Sequence, residues 1–265
     1  MKLDEIRRHW ENSAREISVD SQITPTSRDP FLGILERDYI LDALPVGAAC
    51  LEVGCGDAAH TVHYARRAAH VTAIDIAQGL LTAAKSRVVE AQIANVDLQR
   101  ASVLDVGQRF KGRQFDCVIS QRCLINLPDW QYQKEALLQI HEILADGGWL
   151  LLTEGFQEPL DALNELRGGL NLTPIKVVEY NWNLLEKEFN PFIESLFRVV
   201  RKRDYGLYLL LSRVLHPMAV APDAPRHDGP INMAAMQLAK HLATTTFEKY
   251  SYNLFYVLQK TRTNR

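Results

Sequence analysis

The chain has 265 residues, 47% of them hydrophobic, and a formal net charge of −2 at pH 7. That length and apolar content allow one sizeable core, or one core with a modest appendage. The near-neutral charge does not indicate a polyanionic partner, so we expect no nucleic acid. We also expect no membrane partner, because the most apolar stretch, GLYLLLSRVL, is shorter than the ~18 residues that a spanning helix needs.

The four cysteines, Cys50, Cys55, Cys117 and Cys123, form no C-x-x-C pair. Cys50 and Cys117 lie in strand-like apolar runs, where buried free thiols are the usual occupants. We therefore expect reduced thiols, no bound metal and a cytoplasmic location. The N-terminal sequence agrees with this location, because it is charged from the start and lacks the apolar segment of a secretory signal.

The chain begins with an amphipathic pattern that predicts a helix with Leu3, Ile6 and Trp10 on one side. A polar stretch follows over residues 18–30, and residues 31–44 have the apolar period of a second helix. We predict that residues 1–45 form a helical cap on the rest of the chain.

From residue 46 onward, strand-like runs alternate with segments of helical period. The predicted strands cover residues 48–53, 70–76, 96–103, 115–120 and 149–155, and the helices cover residues 57–68, 77–92 and 132–144. The ADGG segment before the fifth strand is typical of a helix stop and turn. Strands that are apolar throughout indicate a parallel sheet covered on both faces. Such sheets bind ligands beyond the carboxyl ends of their strands, near the point where the strand order reverses.

Residues 156–248 depart from this alternation and include a proline-rich loop at 218–230. Helices are predicted over residues 159–171, 183–197, 207–217 and 231–243, and strands over residues 197–206 and 251–260. We interpret residues 156–248 as elaborations of one domain, 46–265, rather than as a second core.

The stretch CLEVGCGDAAH joins the end of the first strand to two glycines. A nicotinamide or flavin site uses G-x-G-x-x-G with the diphosphate at the helix N-terminus, and Gly54, Gly56 and Ala59 fit this spacing. Glu52 and Asp57, however, would repel a diphosphate. S-adenosylmethionine has no phosphate and carries an ammonium and a sulfonium, so the acid suits it better. The glycines would let the backbone approach it closely.

A second acid, Asp75, ends the second strand. An acid at this point binds the ribose hydroxyls of nucleoside cofactors in general, so it does not separate the two cofactor classes.

These features resemble the class I S-adenosylmethionine-dependent methyltransferases, in particular the methyltransferase type 11/12 group. The family motif of an acid, any residue and then G-x-G-x-G reads EVGCGDA here, with Ala58 in place of the third glycine. The segments AIDI, ASVLDV, FDCVISQRCLINL and EILADGGWLLLTE match the later motifs in order, over about residues 28–155. The resemblance implies a Rossmann-like, doubly wound α/β fold with a seven-stranded sheet whose last strand is antiparallel.

The resemblance also implies S-adenosylmethionine as the cofactor and places its contacts at the strand ends. Ser102 stands where the family usually has an acid, so the contact to the adenine amino group is open, and the Val103 backbone could serve instead. Arg28 could pair with the methionyl carboxylate or be a solvated loop arginine. The predicted cofactor residues are Arg28, Glu52, Gly54, Cys55, Gly56, Asp75, Ile76, Ser102, Val103, Gln121 and Arg122.

The acceptor of the methyl group should bind beside the exits of the fourth and fifth strands, with elaborations from residues 156–248. The candidate acceptor-binding residues are polar: Asn126, Asn164, Arg167, Tyr205 and Arg213. The segments around them resemble bacterial methyltransferases found with glycan and nucleotide-sugar pathways. That narrower resemblance implies a small-molecule acceptor and O-methylation of a sugar or nucleotide-sugar hydroxyl.

A hydroxyl acceptor benefits from a general base, for which His216 and Glu154 are the candidates. His216 precedes a proline and could instead be a loop residue, and Glu154 could simply pair with Arg167. A Mg²⁺-assisted route needs clustered carboxylates, whereas Asp223 and Asp228 form only a loose pair. Two alternatives stay open, an NAD(P)-dependent oxidoreductase and a non-catalytic cofactor-binding protein with the same fold. The oligomeric state, monomer or homodimer, is also open.

Overall fold

The structure is a computed structural model that describes residues 2–16, 28–242 and 246–261. Most of the polar stretch predicted at residues 18–30 lies outside the described residues. Within the described ranges, no helix combines the length and the apolar character needed to cross a membrane.

Seven strands form one sheet in the described part of the chain. They are β1 (Ala49–Val53), β2 (His70–Asp75), β3 (Val96–Arg100), β4 (Phe115–Gln121), β5 (Leu144–Gly155), β6 (Phe197–Asp204) and β7 (Asn253–Lys260). Their order is β3-β2-β1-β4-β5-β7-β6. Strands β1 to β5 are parallel, whereas β7 pairs antiparallel with both β5 and β6. The predicted fold class is confirmed, including the antiparallel last strand.

Helices flank the sheet on both faces. They are α1 (Leu3–Ser13), α2 (Pro30–Ala43), α3 (Thr61–Tyr64), α4 (Gln78–Glu90), α5 (Val106–Arg109), α6 (Trp130–Ile143), α7 (Gln157–Gly169), α8 (Glu186–Leu196), α9 (Gly206–Leu210), α10 (His216–Val220) and α11 (Pro230–Leu242). A π-helical turn, Leu211–Leu215, joins α9 to α10. Aspartates begin two of the longer helices: Asp29 accepts the backbone N–H of Leu32 in α2, and Asp129 caps α6 in the same way.

The core has two main parts, one on each face of the sheet. Leu51 of β1 packs in a cluster with side chains of β4, α6 and α8, whereas its neighbour Cys50 packs in a cluster with α2 and α9. Successive side chains of a strand point to opposite faces, so both must be apolar when both faces are covered. This explains why the strands are apolar throughout in the sequence.

Several predicted boundaries were wrong; the third strand, for example, ends at Arg100 and not at residue 103. The helix predicted over residues 57–68 is reduced to α3, because turns occupy the rest of that segment. The ADGG segment, predicted as a turn, lies inside β5, where the pairing with β4 shifts register between Phe115 and Cys117. The differences at α3 and at the start of β5 do not move the carboxyl end of either neighbouring strand, Val53 of β1 or Gly155 of β5.

Candidate active site

A cavity of about 920 Å³ lies at the carboxyl edge of the sheet, where the strand order reverses between β1 and β4. Residues that follow β1, β2 and β3 line one part of it, which we call the glycine-loop end. Residues that follow β4 and β5, together with the segment 175–183 and the start of β7, line the other part, which we call the β7 end. In the sheet, β4 and β5 lie between β1 and β7. The glycine-loop end and the β7 end are therefore neighbouring parts of one edge.

The glycine loop is tied to the end of β2. The Gly54 N–H donates to the carbonyl of Ile74 (2.9 Å), and the Gly56 N–H donates to Oδ2 of Asp75 (2.9 Å). Gly54 has φ +71°, and a Cβ there would lie 2.8 Å from Sγ of Cys123, which follows β4. Only glycine therefore fits between these two strand exits. Cys55 also lines this part of the cavity.

Glu52, near the end of β1, is buried at the cavity wall. Its Oε2 atom has no hydrogen-bond partner in the described ranges. Burial, with a further contribution from the Asp75 charge, raises the pKa of Glu52 to about 8. A cationic ligand in the cavity would give this carboxylate the opposite charge that it lacks.

Asp75 accepts two backbone hydrogen bonds, from Gly56 to Oδ2 and from Ala77 to Oδ1 (2.9 Å each). Burial raises its pKa to about 6 despite these bonds, so the carboxylate is largely ionised at neutral pH. Each oxygen keeps a further lone pair, so the side chain can accept two ligand hydroxyls. Ile76, Ser102 and Val103 line the same part of the cavity. The hydroxyl of Ser102 accepts the N–H of Leu104 and so caps the turn that follows β3.

Helix α1 closes the glycine-loop end of the cavity. Leu3, Ile6 and Trp10, the predicted apolar side of this helix, all line the cavity. Glu11 accepts the N–H groups of Gln78 (2.9 Å) and Gly79 (3.0 Å) and so holds α1 against the start of α4. Arg28 is exposed and also lines the cavity.

Neither predicted base reaches the cavity. Glu154 is 0% exposed, and its carboxylate accepts the Ser120 hydroxyl and the N–H groups of Cys123, Leu124 and Ile125 at 2.9–3.2 Å. Burial raises its pKa to about 7. The side chain therefore anchors the turn after β4 instead of facing a ligand, and it does not pair with Arg167.

The second predicted base, His216, is also buried away from the cavity. Its Nδ1 lies 2.7 Å from Oδ1 of Asn232 in α11. His216 is the first residue of α10, and its side chain connects α10 to α11. This placement does not fit the prediction of His216 as the base.

The predicted acceptor residues divide into two groups. Asn126 and Arg213 line the cavity. Asn164 instead bonds both the N–H and the carbonyl of Ile175, and Arg167 donates to the carbonyls of Thr173 and Arg213. Tyr205 is buried, does not line the cavity and stacks on Tyr39 (ring centroids 5.1 Å apart). These last three side chains hold the walls in place and do not form the cavity surface.

Arg213 belongs to a buried cluster at the β7 end. Its Nη2 pairs with Oδ2 of Asp29 (2.5 Å), and Asp29 also accepts the hydroxyl of Tyr208 at 2.7 and 2.9 Å. Nη1 of Arg213 lies 3.2 Å from Nδ1 of His227. The π-helical turn that carries Arg213 is a feature often found at functional sites. It links the start of α2 to the proline-rich loop across the cavity wall.

Sequence reasoning missed most of the β7 end. The segment after α7 contributes apolar and polar side chains, and β7 contributes its first residues. The missed lining residues of this end are Leu160, Ile175, Lys176, Val177, Val178, Tyr180, Asn181, Asn183, His227, Tyr252 and Asn253. No motif marks them; only the lack of a regular period between α7 and α8 distinguished their segment. In the described part of the chain, no group of His, Cys, Asp and Glu side chains could hold a metal ion.

A sheet of this order, in which β1 to β5 are parallel and a glycine loop lies between two acids at the carboxyl edge, is typical of proteins that bind a nucleoside cofactor. The methyltransferase domain family matches residues 50–148. A ubiquinone biosynthesis O-methyltransferase of Xanthomonas axonopodis is 38% identical over 182 residues, 67% of this chain and 70% of that protein. The chain is therefore a member of the class I S-adenosylmethionine-dependent methyltransferases, and S-adenosylmethionine is the cofactor of that family.

Some other relatives match over shorter regions. An uncharacterized methyltransferase of Mycobacterium bovis is 33% identical over 125 residues, 46% of this chain; the alignment spans 58% of that relative's length. Among solved structures, the fold is similar to N-methyltransferase NodS from Bradyrhizobium japonicum in complex with S-adenosyl-L-homocysteine, with a TM-score of 0.58 and 12% identity over 96% of this chain and 98% of that one. Magnesium protoporphyrin IX methyltransferase from Synechocystis is similar with a TM-score of 0.60 and 14% identity over 97% of each chain.

The residues present fit S-adenosylmethionine. The unpartnered Oε2 of Glu52 suits a cation, Gly54 lets the exits of β1 and β4 come close together at the cavity wall, and Asp75 keeps lone pairs for hydroxyls. The chain also belongs to the methyltransferase family and not to a nicotinamide-dependent one. The oxidoreductase alternative is therefore set aside.

We expect S-adenosylmethionine binding to release about one proton near pH 7. The pKa of Glu52 is about 8 without ligand, so the carboxyl is mostly protonated at pH 7, and a bound cation favours its ionised form. Affinity should accordingly rise with pH up to about 8. Calorimetric titrations in two buffers of different ionisation enthalpy measure the released protons. Glu52→Gln is the control, and identical heats in both buffers for the wild-type protein would contradict the expectation.

Proposed function

We propose that the protein transfers the methyl group of S-adenosylmethionine to a hydroxyl of a small polar acceptor, such as a sugar or a nucleotide sugar. The proposal places the cofactor at the glycine-loop end of the cavity, in contact also with Gln121 and Arg122 at the exit of β4, and the acceptor against the remaining residues of the β7 end. The bound cofactor supplies an electrophilic methyl group, and the chain has to align the acceptor hydroxyl with it.

The observation that carries the acceptor class is a pair of buried amide oxygens. Oδ1 of Asn126 and Oδ1 of Asn181 both have no hydrogen-bond partner in the described ranges, and both residues line the β7 end. The Nδ2 of Asn126 donates to the Arg122 carbonyl (2.6 Å), so the direction of this amide is settled by its partner. Unpaired amide oxygens favour a ligand that donates, and hydroxyl groups do so.

Apolar side chains of the same end, such as Leu127, Leu160 and Ile175, would pack against the carbon face of a sugar ring. O-methylation has further support from the relatives, since several are ubiquinone biosynthesis O-methyltransferases. Because Glu154 and His216 make other contacts, the proposal attributes the reaction rate to alignment of the acceptor and not to general-base catalysis by either residue.

The proposal also treats residues 1–45 as a cap and residues 156–248 as acceptor-binding elaborations of one domain, 46–265. The cytoplasmic location stays a prediction.

Label transfer from methyl-labelled S-adenosylmethionine tests the proposal. The protein is offered free hexoses, nucleoside-diphosphate sugars and a catechol, and we expect labelled product with a sugar class only. Asn126→Ala and Asn181→Ala should raise the KM for the sugar about 5- to 10-fold each, the loss of one hydrogen bond. Asn190→Ala, which removes a contact to Tyr256 outside the cavity, is the matched control. Transfer to the catechol alone would refute the sugar proposal, and cofactor binding without any transfer would favour the non-catalytic alternative.

A further inference from the structure

A carboxylate that belongs to no cofactor motif lies directly behind the cavity wall. Glu36, in the middle of α2, is 0% exposed. Its Oε1 accepts the side-chain amide of Asn253 (2.7 Å), and its Oε2 accepts the side-chain amide of Gln121 (2.8 Å). Oε2 also lies 3.3 Å from Nε of Arg122. A buried carboxylate needs such partners, because burial without them is costly.

All three partners of Glu36 line the cavity, although they come from separate parts of the chain. Gln121 ends β4, Arg122 follows it and Asn253 begins β7. Arg122 has φ +51°, an uncommon backbone conformation for a residue other than glycine and one that is concentrated at functional sites. Its N–H donates to the Thr153 carbonyl (2.7 Å). One side chain of α2 thus joins the exits of two strands at the ligand edge.

The carboxylate also determines which way the Gln121 amide faces. A carboxylate only accepts, so Gln121 must present its NH₂ group to Glu36 and its Oε1 in the other direction. Oε1 lies 2.9 Å from the Tyr64 hydroxyl and 2.8 Å from Nδ1 of His60. Since a carbonyl oxygen also only accepts, His60 must carry a proton on Nδ1.

His60 lines the cavity beside the glycine loop. Its burial lowers the pKa of the ring, so the imidazole is neutral at pH 7. With the proton on Nδ1, its Nε2 is left as a hydrogen-bond acceptor.

We propose that Glu36 is a positioning residue for the S-adenosylmethionine site. Through one carboxylate it holds Gln121 and Arg122 at the cavity wall, and through Gln121 it sets the tautomer of His60. The inference rests on the proposed function in one respect, the assignment of Gln121 and Arg122 to the methyl donor.

Glu36→Gln tests the inference with a side chain of the same length and no charge. The new glutamine has one acceptor oxygen in place of two. Its NH₂ group would therefore face the donating side-chain amide of either Asn253 or Gln121. Once the Gln121 amide turns, its NH₂ group faces His60, and the ring proton has to move to Nε2. We therefore expect the ¹⁵N shifts of His60 in the ligand-free protein to change from the Nδ1–H to the Nε2–H pattern. The Kd for S-adenosylhomocysteine should rise about 10- to 100-fold, the effect of losing a hydrogen bond to a charged group.

Asp204→Asn is the matched control, since it changes a buried carboxylate that accepts the Gly206 N–H and does not line the cavity. It should leave the His60 tautomer unchanged and the Kd within about twofold. A folded Glu36→Gln protein with an unchanged tautomer and an unchanged Kd would overturn the inference.

Gln121→Met covers the case in which Glu36→Gln does not fold. It removes the amide and leaves Glu36 in place, so the Nδ1–H form of His60 should no longer predominate; its persistence would overturn the inference. The two proposals fail differently. A wild-type protein that binds no S-adenosylhomocysteine refutes the proposed function, whereas the tautomer measurement needs no ligand.

Discussion

Gly54→Ala is expected to weaken S-adenosylmethionine binding by about 5- to 150-fold. The added Cβ would lie 2.8 Å from Sγ and 2.9 Å from Cβ of Cys123, so the exits of β1 and β4 would have to separate. Overpacking of this kind costs about 1–3 kcal/mol, which corresponds to that range of affinity when it is taken from binding. The measurement is a calorimetric titration with S-adenosylmethionine and S-adenosylhomocysteine.

Gly112→Ala separates the crowding from the backbone effect. Gly112 has φ +81°, similar to the +71° of Gly54, but a Cβ there would meet nothing within 4 Å. Both variants should therefore lose about 1–2 kcal/mol of stability from the left-handed backbone. Only Gly54→Ala should lose cofactor affinity, and equal affinity losses in the two variants would show that the close approach to Cys123 is unimportant.

Arg213→Met is expected to lower the free energy of unfolding by about 3–5 kcal/mol, the usual effect of leaving one partner of a buried ion pair alone. Asp29 stays behind at 9% exposure, with the Tyr208 hydroxyl as its remaining side-chain partner in the described ranges. Urea unfolding measures the loss. Asp29→Asn combined with Arg213→Met should recover part of it, because the double variant has no unpaired charge.

The loss of stability caused by Arg213→Met should be smaller in acid than at neutral pH. Burial opposes the ionisation of Asp29, yet the Arg213 charge and the Tyr208 hydroxyl hold its pKa below the ordinary value. A group with a lowered folded pKa contributes stability above its unfolded pKa, about 4, and loses it as the pH falls through the folded pKa. The surface pair of Arg226 and Asp228 provides the control, and Arg226→Met should change the unfolding midpoint little. A large effect of Arg226→Met, or none of Arg213→Met, would contradict this account.

The two ends of the cavity differed in how far the sequence predicted them. At the glycine-loop end, Glu52, Gly54 and Asp75 all lie where the strand pattern places them, and each lines the cavity. Their positions follow from local rules, because a residue that ends a parallel strand must emerge at the ligand edge.

At the β7 end, polar character was a poor guide. Glu154 ends a strand as predicted, but its four hydrogen bonds hold the turn after β4. The side chains of Arg167 and Asn164 hydrogen-bond to backbone groups of the segment that follows their own helix. A polar residue near a site can face the ligand or support the wall, and the distinction depends on carbonyl and N–H groups that are distant in sequence.

The sequence by itself determined the class of the protein. The alternation of apolar strands with helical segments specifies a parallel sheet, and the acids and glycines at the strand ends specify the kind of cofactor, because both follow from residues close together in the chain. Only the tertiary structure decided which side chains form the rest of the cavity. Glu36 meets Asn253 across 217 positions, and Asp29 meets Arg213 across 184. Such pairs form only after helices and strands pack, because burial leaves each charged group dependent on whichever partner the fold brings to it.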